Sequence, residues 1–377
     1  MNAYRDIMSR LGPFRVKEGF EYKKTVASIE ALANRADLIS RGARPDTYFG
    51  QPPDGISYDN LITRAYRHLE SLERGELPLK GKFCEPGGSC SDHSVVVVDD
   101  MVHLFYTIDS IGYDWPERYV HYIGHASSTN LVDWEIHKPA VAIHPEGHEV
   151  YQVWAPAVIH HDGMYWMFYT GVNYNVSQAT VLATSKDLYN WERYEKNPLY
   201  YPTRWNKWTQ ESWFDNRDVM IFKDNDTFYM YFYTAGIRKV GNAFPACGVA
   251  SSKNLVDWKD ETLIELGCKY ACESPFMVKH ENKYYLFYTD CGKGTSYAVS
   301  DNPLGGFEVK GLLIGDENHV GDTAHVPSCS EVFEFKGKWY ISVAERLPGN
   351  EQYIEFMRFY WNEDGSVSVG DFVREPV

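Results

Sequence analysis

The sequence predicts an all-β chain: a five-bladed β-propeller preceded by a helical extension. Three observations predict it. A two-strand pattern recurs five times between residues 92 and 344. A seven-residue motif ending in Trp follows three of the copies. Residues 1–80 carry neither pattern, and show apolar residues at helical spacing instead.

The five copies run Asp92–Thr107, Trp154–Thr170, Asp218–Thr234, Glu273–Thr289 and, more weakly, Ser330–Ala344. Each reads as an apolar strand, a short polar turn and an aromatic strand, and the first four end in Phe-Tyr-Thr. Their ends are spaced by 63, 64, 55 and 55 residues. Turns such as Asp162-Gly163 and Lys336-Gly337 are hairpin signals. The Trp motif reads Ser128-Thr-Asn-Leu-Val-Asp-Trp134, Ser185-Lys-Asp-Leu-Tyr-Asn-Trp191 and Ser252-Lys-Asn-Leu-Val-Asp-Trp258, with a degenerate copy at 300–307. It closes a third strand and opens a fourth, so each repeat is a four-stranded blade. Residues 352–377 complete the last blade.

In the extension, 21–41 and 57–75 read as helices; Leu61, Ala65, His68, Leu69 and Leu72 set the spacing in the second. Residues 44–55 form a loop by composition. The boundaries are therefore 1–80 for the extension and 81–377 for the propeller. The extension is expected to pack on the propeller, where it could act as a lid or as a homodimer contact.

Composition narrows the partners. Thirty-seven Lys and Arg face 52 Asp and Glu, for a net charge of −15. A polyanionic partner needs the opposite sign, so neither nucleic acid nor an anionic membrane is expected. No apolar run approaches the ~20 residues of a membrane span, and the first residues lack the apolar core of a secretory signal. Seven Cys without any Cys-x-x-Cys suit a reducing, cytoplasmic setting with free thiols. Cys84 and Cys90 could close a small loop only if oxidised, and Cys268 and Cys272 lack partners for a zinc site. Twenty-eight Tyr and 11 Trp suit half-polar surfaces such as sugar sites.

Aligned on their aromatic strands, the copies begin with Asp92, Trp154, Asp218 and Glu273, and near Ser328 or Cys329 in the fifth. A blade's first strand runs beside the central axis, so its opening residue points into the axial pocket. Three carboxylates from three blades are thus expected at one depth. Asp99, Asp100, Asp162, Asp224 and Asp226, by contrast, sit in turns and read as turn formers. Clustered like charges are costly and mark functional sites. They suit hydrolysis of a glycosidic bond, where one acid protonates the leaving oxygen and another carboxylate attacks or activates water. No phosphate loop, dinucleotide fingerprint or Ser-His-Asp signature is present.

At these residues the chain resembles the five-bladed glycoside hydrolases of families 43, 62, 32 and 68. Asp92-His-Ser-Val resembles the Asp-Pro-Ser-Val start of family 43, with His93 in place of Pro. Trp154-Ala-Pro-Ala is similar to its Trp-Ala-Pro-Asp block, and Glu273-Ser-Pro-Phe to its Glu-Gly-Pro block. Arg217-Asp218 resembles the Arg-Asp-Pro block of families 32 and 68. The Asn-Asp-Pro-Asn-Gly opening of family 32 is absent, which favours family 43.

The resemblance implies Asp92 as general base or nucleophile, Asp218 as pKa modulator and Glu273 as general acid. It implies substrate contact by Arg217. Tyr151 and Trp154 could stack on a sugar face. His325, upstream of the fifth copy, aligns with a histidine that in some family 43 members binds a central calcium or substrate. No cofactor is otherwise expected. The implied activity is exo-acting removal of terminal α-L-arabinofuranosyl or β-D-xylosyl units from short oligosaccharides, with inversion. The alternatives are a retaining β-fructofuranosidase-like enzyme and a carbohydrate-binding propeller without catalysis. A phosphorylase would need a phosphate pocket, for which Arg217, Arg346 and His325 are candidates.

Overall fold

The computed structural model describes residues 2–43, 56–113, 120–205, 207–237, 243–316, 326–347 and 351–377. Five antiparallel sheets follow one another along the chain. Blade 1 holds strands Gly88–Val98, Met101–Ser110 and Tyr122–Ser128, with a broken outer edge at Glu135–Ile136 and Val141–Ala142. Blade 2 holds Gln152–His161, Met164–Val172, Gln178–Ser185 and Trp191–Arg193. Blade 3 runs Asn216–Asp224, Thr227–Ile237, Ala243–Ser252 and Lys259–Ile264; blade 4 runs Cys272–His280, Lys283–Asp290, Gly294–Ser300 and Glu308–Gly315. Blade 5 is built from Ser328–Phe335, Lys338–Leu347, Glu351–Trp361 and Val367–Phe372.

The chain closes this ring from both ends. A short strand, Lys82–Phe83, pairs with Glu351–Trp361 on the edge of blade 5. The C-terminal strand Val367–Phe372 pairs with the same strand further along. Neighbouring first strands pack against one another around the axis, blade 5 against blade 1 included.

Each repeated motif has a local cause. The hairpin turns put consecutive residues in left-handed backbone, as at Asp162 (φ 49°) and Gly163 (φ 72°), or Lys336 (φ 50°) and Gly337 (φ 68°). That is the turn whose twist matches two paired strands. In the Trp motif, Leu131, Leu188 and Leu255 take φ of 63–68°. The motif's Ser hydroxyl accepts the Leu N–H at 2.9–3.0 Å in all three copies. The Trp indole then donates to the Leu carbonyl at 2.8–3.3 Å. Ser and Trp therefore brace a strained corner, which is why they recur together.

Apolar side chains on both faces of each blade bury against its neighbours. One core lies at each of the five seams: Phe105 with Tyr169 between blades 1 and 2, and Phe168 with Phe232 between 2 and 3. Tyr231 with Tyr288 joins 3 and 4, Phe287 with Phe359 joins 4 and 5, and Tyr106 with Tyr353 joins 5 and 1. A blade alone would expose these faces, so stability belongs to the ring.

The extension forms three helices, α1 (Ala3–Arg10), α2 (Phe20–Ser40) and α3 (Tyr58–Glu73), joined by a separate core around Ile29, Leu32, Leu61 and Leu69. Sequence periodicity reached α2 and α3 and missed α1, a short helix capped by Asn2. The expected loop at 44–55 lies outside the described residues. The helices do pack on the propeller. Arg35 Nε donates to Gly112 O at 2.8 Å, and Arg64 and His68 reach Glu351. Gly112 lies in the connection between the second and third strands of blade 1, and Glu351 opens the third strand of blade 5. Both lie on the side where the first strands begin. The helical layer therefore stands beside the mouth of the axial pocket. No described helix is long and apolar enough to cross a membrane.

Candidate active site

Every first strand is broken by a bulge near its start, where two residues oppose one on the second strand. The bulges hold Ser91-Asp92, Ala155-Pro156, Asp218-Val219, Ser274-Pro275 and Cys329-Ser330. Ala155, Asp218, Ser274 and Cys329 take φ of 45–57° there. Left-handed backbone in non-glycine residues is costly and persists where surrounding bonds impose it. The repeated Thr supplies those bonds. Thr107, Thr170 and Thr289 each accept the bulge N–H of the next blade, from Ala155 at 2.9 Å, Asp218 at 3.2 Å and Cys329 at 3.0 Å. In blade 4 the Ser274 N–H goes instead to Asp218 Oδ2 at 3.3 Å.

The bulge residues from Asp92 onward line an axial pocket with His93, Met220, Phe276 and Glu331. Asp92 and Asp218 face it from blades 1 and 3. The expectation of one common register for the three carboxylates is corrected here. Glu273 sits one residue before its bulge, paired with Thr289, as Trp154 is paired with Thr170. The residue at the Asp218 position in blade 4 is Ser274. Aligning on the aromatic strands missed this because the bulge falls opposite Tyr288 in blade 4 but opposite Phe232 in blade 3.

The three carboxylates nevertheless converge. Ser274 donates through its N–H to Asp218 and through its hydroxyl to Asp92 Oδ1, at 3.1 Å. Arg217 donates to Glu273 through Nη2 and to Asp215 through Nη1, with Nε 3.9 Å from Asp218 Oδ2. Its guanidinium lies over the Tyr233 ring at 4.3 Å. Cys291 Sγ donates to the other Glu273 oxygen at 3.2 Å. Asp218 is buried, and burial together with the Asp92 carboxylate pushes its pKa well above the ordinary value, against the pull of Arg217.

The expected sugar contacts divide. Trp154 is half-buried and donates to Gln152 Oε1 at 2.8 Å. Tyr151 lies 5.6 Å from the ring of Tyr174, which is 72% exposed. His325 lies outside the described residues. Among the described residues, no group of three or more His, Cys, Asp or Glu could hold a metal ion. The sequence reading missed Tyr174, Trp213 and Tyr270, all large, exposed and on pocket-side connections. Trp213 donates to Asp215, one step from Arg217 and Glu273. Their signal was only an aromatic just outside a strand, which many core residues share.

Known proteins resemble this chain in stretches of sequence and in fold. The chain matches a β-xylosidase of Xylanibacter ruminicola at 38% identity over 80 residues, 21% of this chain and 23% of that protein. It matches a cell-wall β-fructofuranosidase of Pisum sativum at 29% over 188 residues, 48% of this chain and 31% of that protein. These matches span less than a third of either relative. Among solved structures, a thermostable family-43 glycoside hydrolase superposes with TM-score 0.59 at 22% identity, covering 77% of this chain and 95% of that one. A Bombyx mori family-32 β-fructofuranosidase gives 0.56 at 19%, covering 77% and 64%. At such identities the superpositions show the shared fold. The family model for glycosyl hydrolases family 43 matches residues 87–367, from the first blade into the last strand, and by that match the chain belongs to family 43.

Proposed function

We propose that this glycoside hydrolase removes a terminal α-L-arabinofuranosyl or β-D-xylosyl unit from short oligosaccharides, with inversion. The observation that carries the reading is the meeting of Asp92, Asp218 and Glu273 around Ser274 and Arg217. The matched stretches of a β-xylosidase and of a Bacteroides ovatus xylosidase/arabinosidase support the sugar class. The helical layer beside the pocket mouth supports exo action, since a walled pocket admits a chain end. Seven free thiols support a reducing, cytoplasmic setting.

In this reading Asp92 takes the proton of a water as it attacks the anomeric carbon. Glu273 gives a proton to the leaving oxygen. Arg217, fixed by Asp215 and Tyr233, orients Glu273 until the sugar arrives. Burial and the Asp92 carboxylate push the Asp218 pKa up, which disfavours a further negative charge beside Asp92. Tyr174 and Trp213 offer ring faces to the leaving-group side.

The test is hydrolysis of aryl arabinofuranoside, xyloside, galactofuranoside and sucrose by wild type, Asp92→Asn and Glu273→Gln. The anomer released first is read by NMR. Turnover of an arabinofuranoside or xyloside, lost by ~10²–10⁴-fold in both variants, with an inverted first product, is expected. Turnover of sucrose alone would transfer the reading to a fructosidase.

A further inference from the structure

We infer that Ser274 and Cys329 form a two-donor clamp on Asp92 Oδ1, which fixes the base and reserves Oδ2 for the attacking water. This rests on the role proposed for Asp92. The Ser274 hydroxyl donates to Oδ1 at 3.1 Å and the Cys329 thiol donates to the same oxygen at 3.1 Å. Ser274 Oγ and Cys329 Sγ are themselves 3.4 Å apart, so both donors crowd one side of the carboxylate. Among the described residues, no donor is placed on Oδ2.

The backbone is arranged for this. Both donors are bulge residues in left-handed conformation, Ser274 at φ 48° and Cys329 at φ 55°. Each bulge is pinned from the preceding blade, Ser274 N–H by Asp218 and Cys329 N–H by Thr289. The same strained turn that delivers Asp218 in blade 3 thus delivers the clamp in blades 4 and 5. Burial, with the Asp92 carboxylate beside it, raises the Cys329 pKa well above the ordinary thiol value. The sulfur therefore keeps its proton and acts as a donor rather than as a competing thiolate. Donors to a carboxylate favour its charged form, which a base needs before it can take a proton.

Ser274 and Cys329 are positioning residues, so their test must read more than activity. Ser274→Ala, Cys329→Ala, the double variant and Cys329→Ser are compared with wild type on the best substrate of the panel. Each alanine is expected to lower kcat about tenfold with KM nearly unchanged, as loss of a hydrogen bond to a charged group implies. Cys329→Ser restores a donor and should return kcat towards wild type.

The S–H stretching band of Cys329 in the infrared, assigned with Cys329→Ala, gives a reading that needs no substrate. It should shift to higher frequency in Asp92→Asn, where the carboxylate acceptor is replaced by a weaker one. A band that does not move in folded Asp92→Asn overturns the clamp. If wild type turns over no substrate of the panel, the parent reading fails and the band alone decides the clamp. If wild type is active and Asp92→Asn is dead while the alanine variants keep kcat, the clamp fails alone.

Discussion

Two buried carboxylates in this molecule have opposite fates. Glu351 anchors the helical layer to blade 5 and is fully buried, yet it accepts hydrogen bonds from Arg64, His68 and Tyr353. Burial alone would raise its pKa; those partners more than offset it and hold it at about 2. Asp218 in the pocket is nearly as buried, but faces Asp92 with Arg217 no nearer than 3.9 Å. Its pKa goes up instead. The lesson is that burial does not set the charge of a carboxylate; the supply of donors does. At the seam the donors are complete and the group is structural. In the pocket they are left short, and a substrate can complete them.

Breaking the seam should have the largest effect. Glu351→Gln leaves Arg64 and His68 facing an uncharged amide, and loss of one partner of a buried ion cluster costs about 3–5 kcal/mol. Denaturant unfolding at neutral pH should show that loss, with kcat/KM of the folded protein within a few-fold of wild type. The sign with pH follows from the lowered pKa. The contribution of Glu351 is complete above its ordinary value of 4.5 and fades as pH falls towards 2. Acidification over that window should therefore narrow the gap between variant and wild type.

Asp218→Asn sharpens the pocket side. Burial and the Asp92 carboxylate both disfavour charge at this position, so a neutral amide of the same shape should leave thermal stability nearly unchanged. Activity should fall by about 10²-fold, the lower end for a group acting in acid–base chemistry. A collapse in Tm with activity intact would make Asp218 a structural group and remove the contrast.

A third buried carboxylate tests the rule between these extremes. Glu331 lines the pocket floor and accepts Val95 N–H at 2.7 Å, and burial raises its pKa to about 8. The folded state thus holds a proton that the unfolded chain releases above its ordinary value of 4.5. Its contribution is full below that value and is lost as pH climbs to about 8. Glu331→Gln should equal wild type near pH 4 and exceed it at pH 8 by about 2 kcal/mol, fewer than the pKa shift alone implies because local relaxation discounts it. Urea melts at both pH values measure this.

Much of the architecture was legible in the sequence because its causes are local. Hairpin turns need left-handed residues, the Trp motif braces its own corner, and blades that bury both faces read as apolar and aromatic strands. Asp92, Asp218 and Glu273 could be singled out for the same reason, each standing at the start of a first strand. Helix α1 escaped because eight residues carry too little periodicity. The register of Glu273 escaped because bulge position depends on the partner strand. Tyr174 and Trp213 escaped because exposure is not encoded in residue type.

The sequence by itself determined the repeat, the strand order within each blade and the residues with chemistry to offer. Tertiary structure decided which of them meet. Ser274 and Cys329 are 182 and 237 residues from Asp92 along the chain, and nothing local marks either as its partner. Closing the ring brings five bulges to one axis, four of them pinned by the blade before. Whether a buried carboxylate there is charged then depends on donors that only closure supplies.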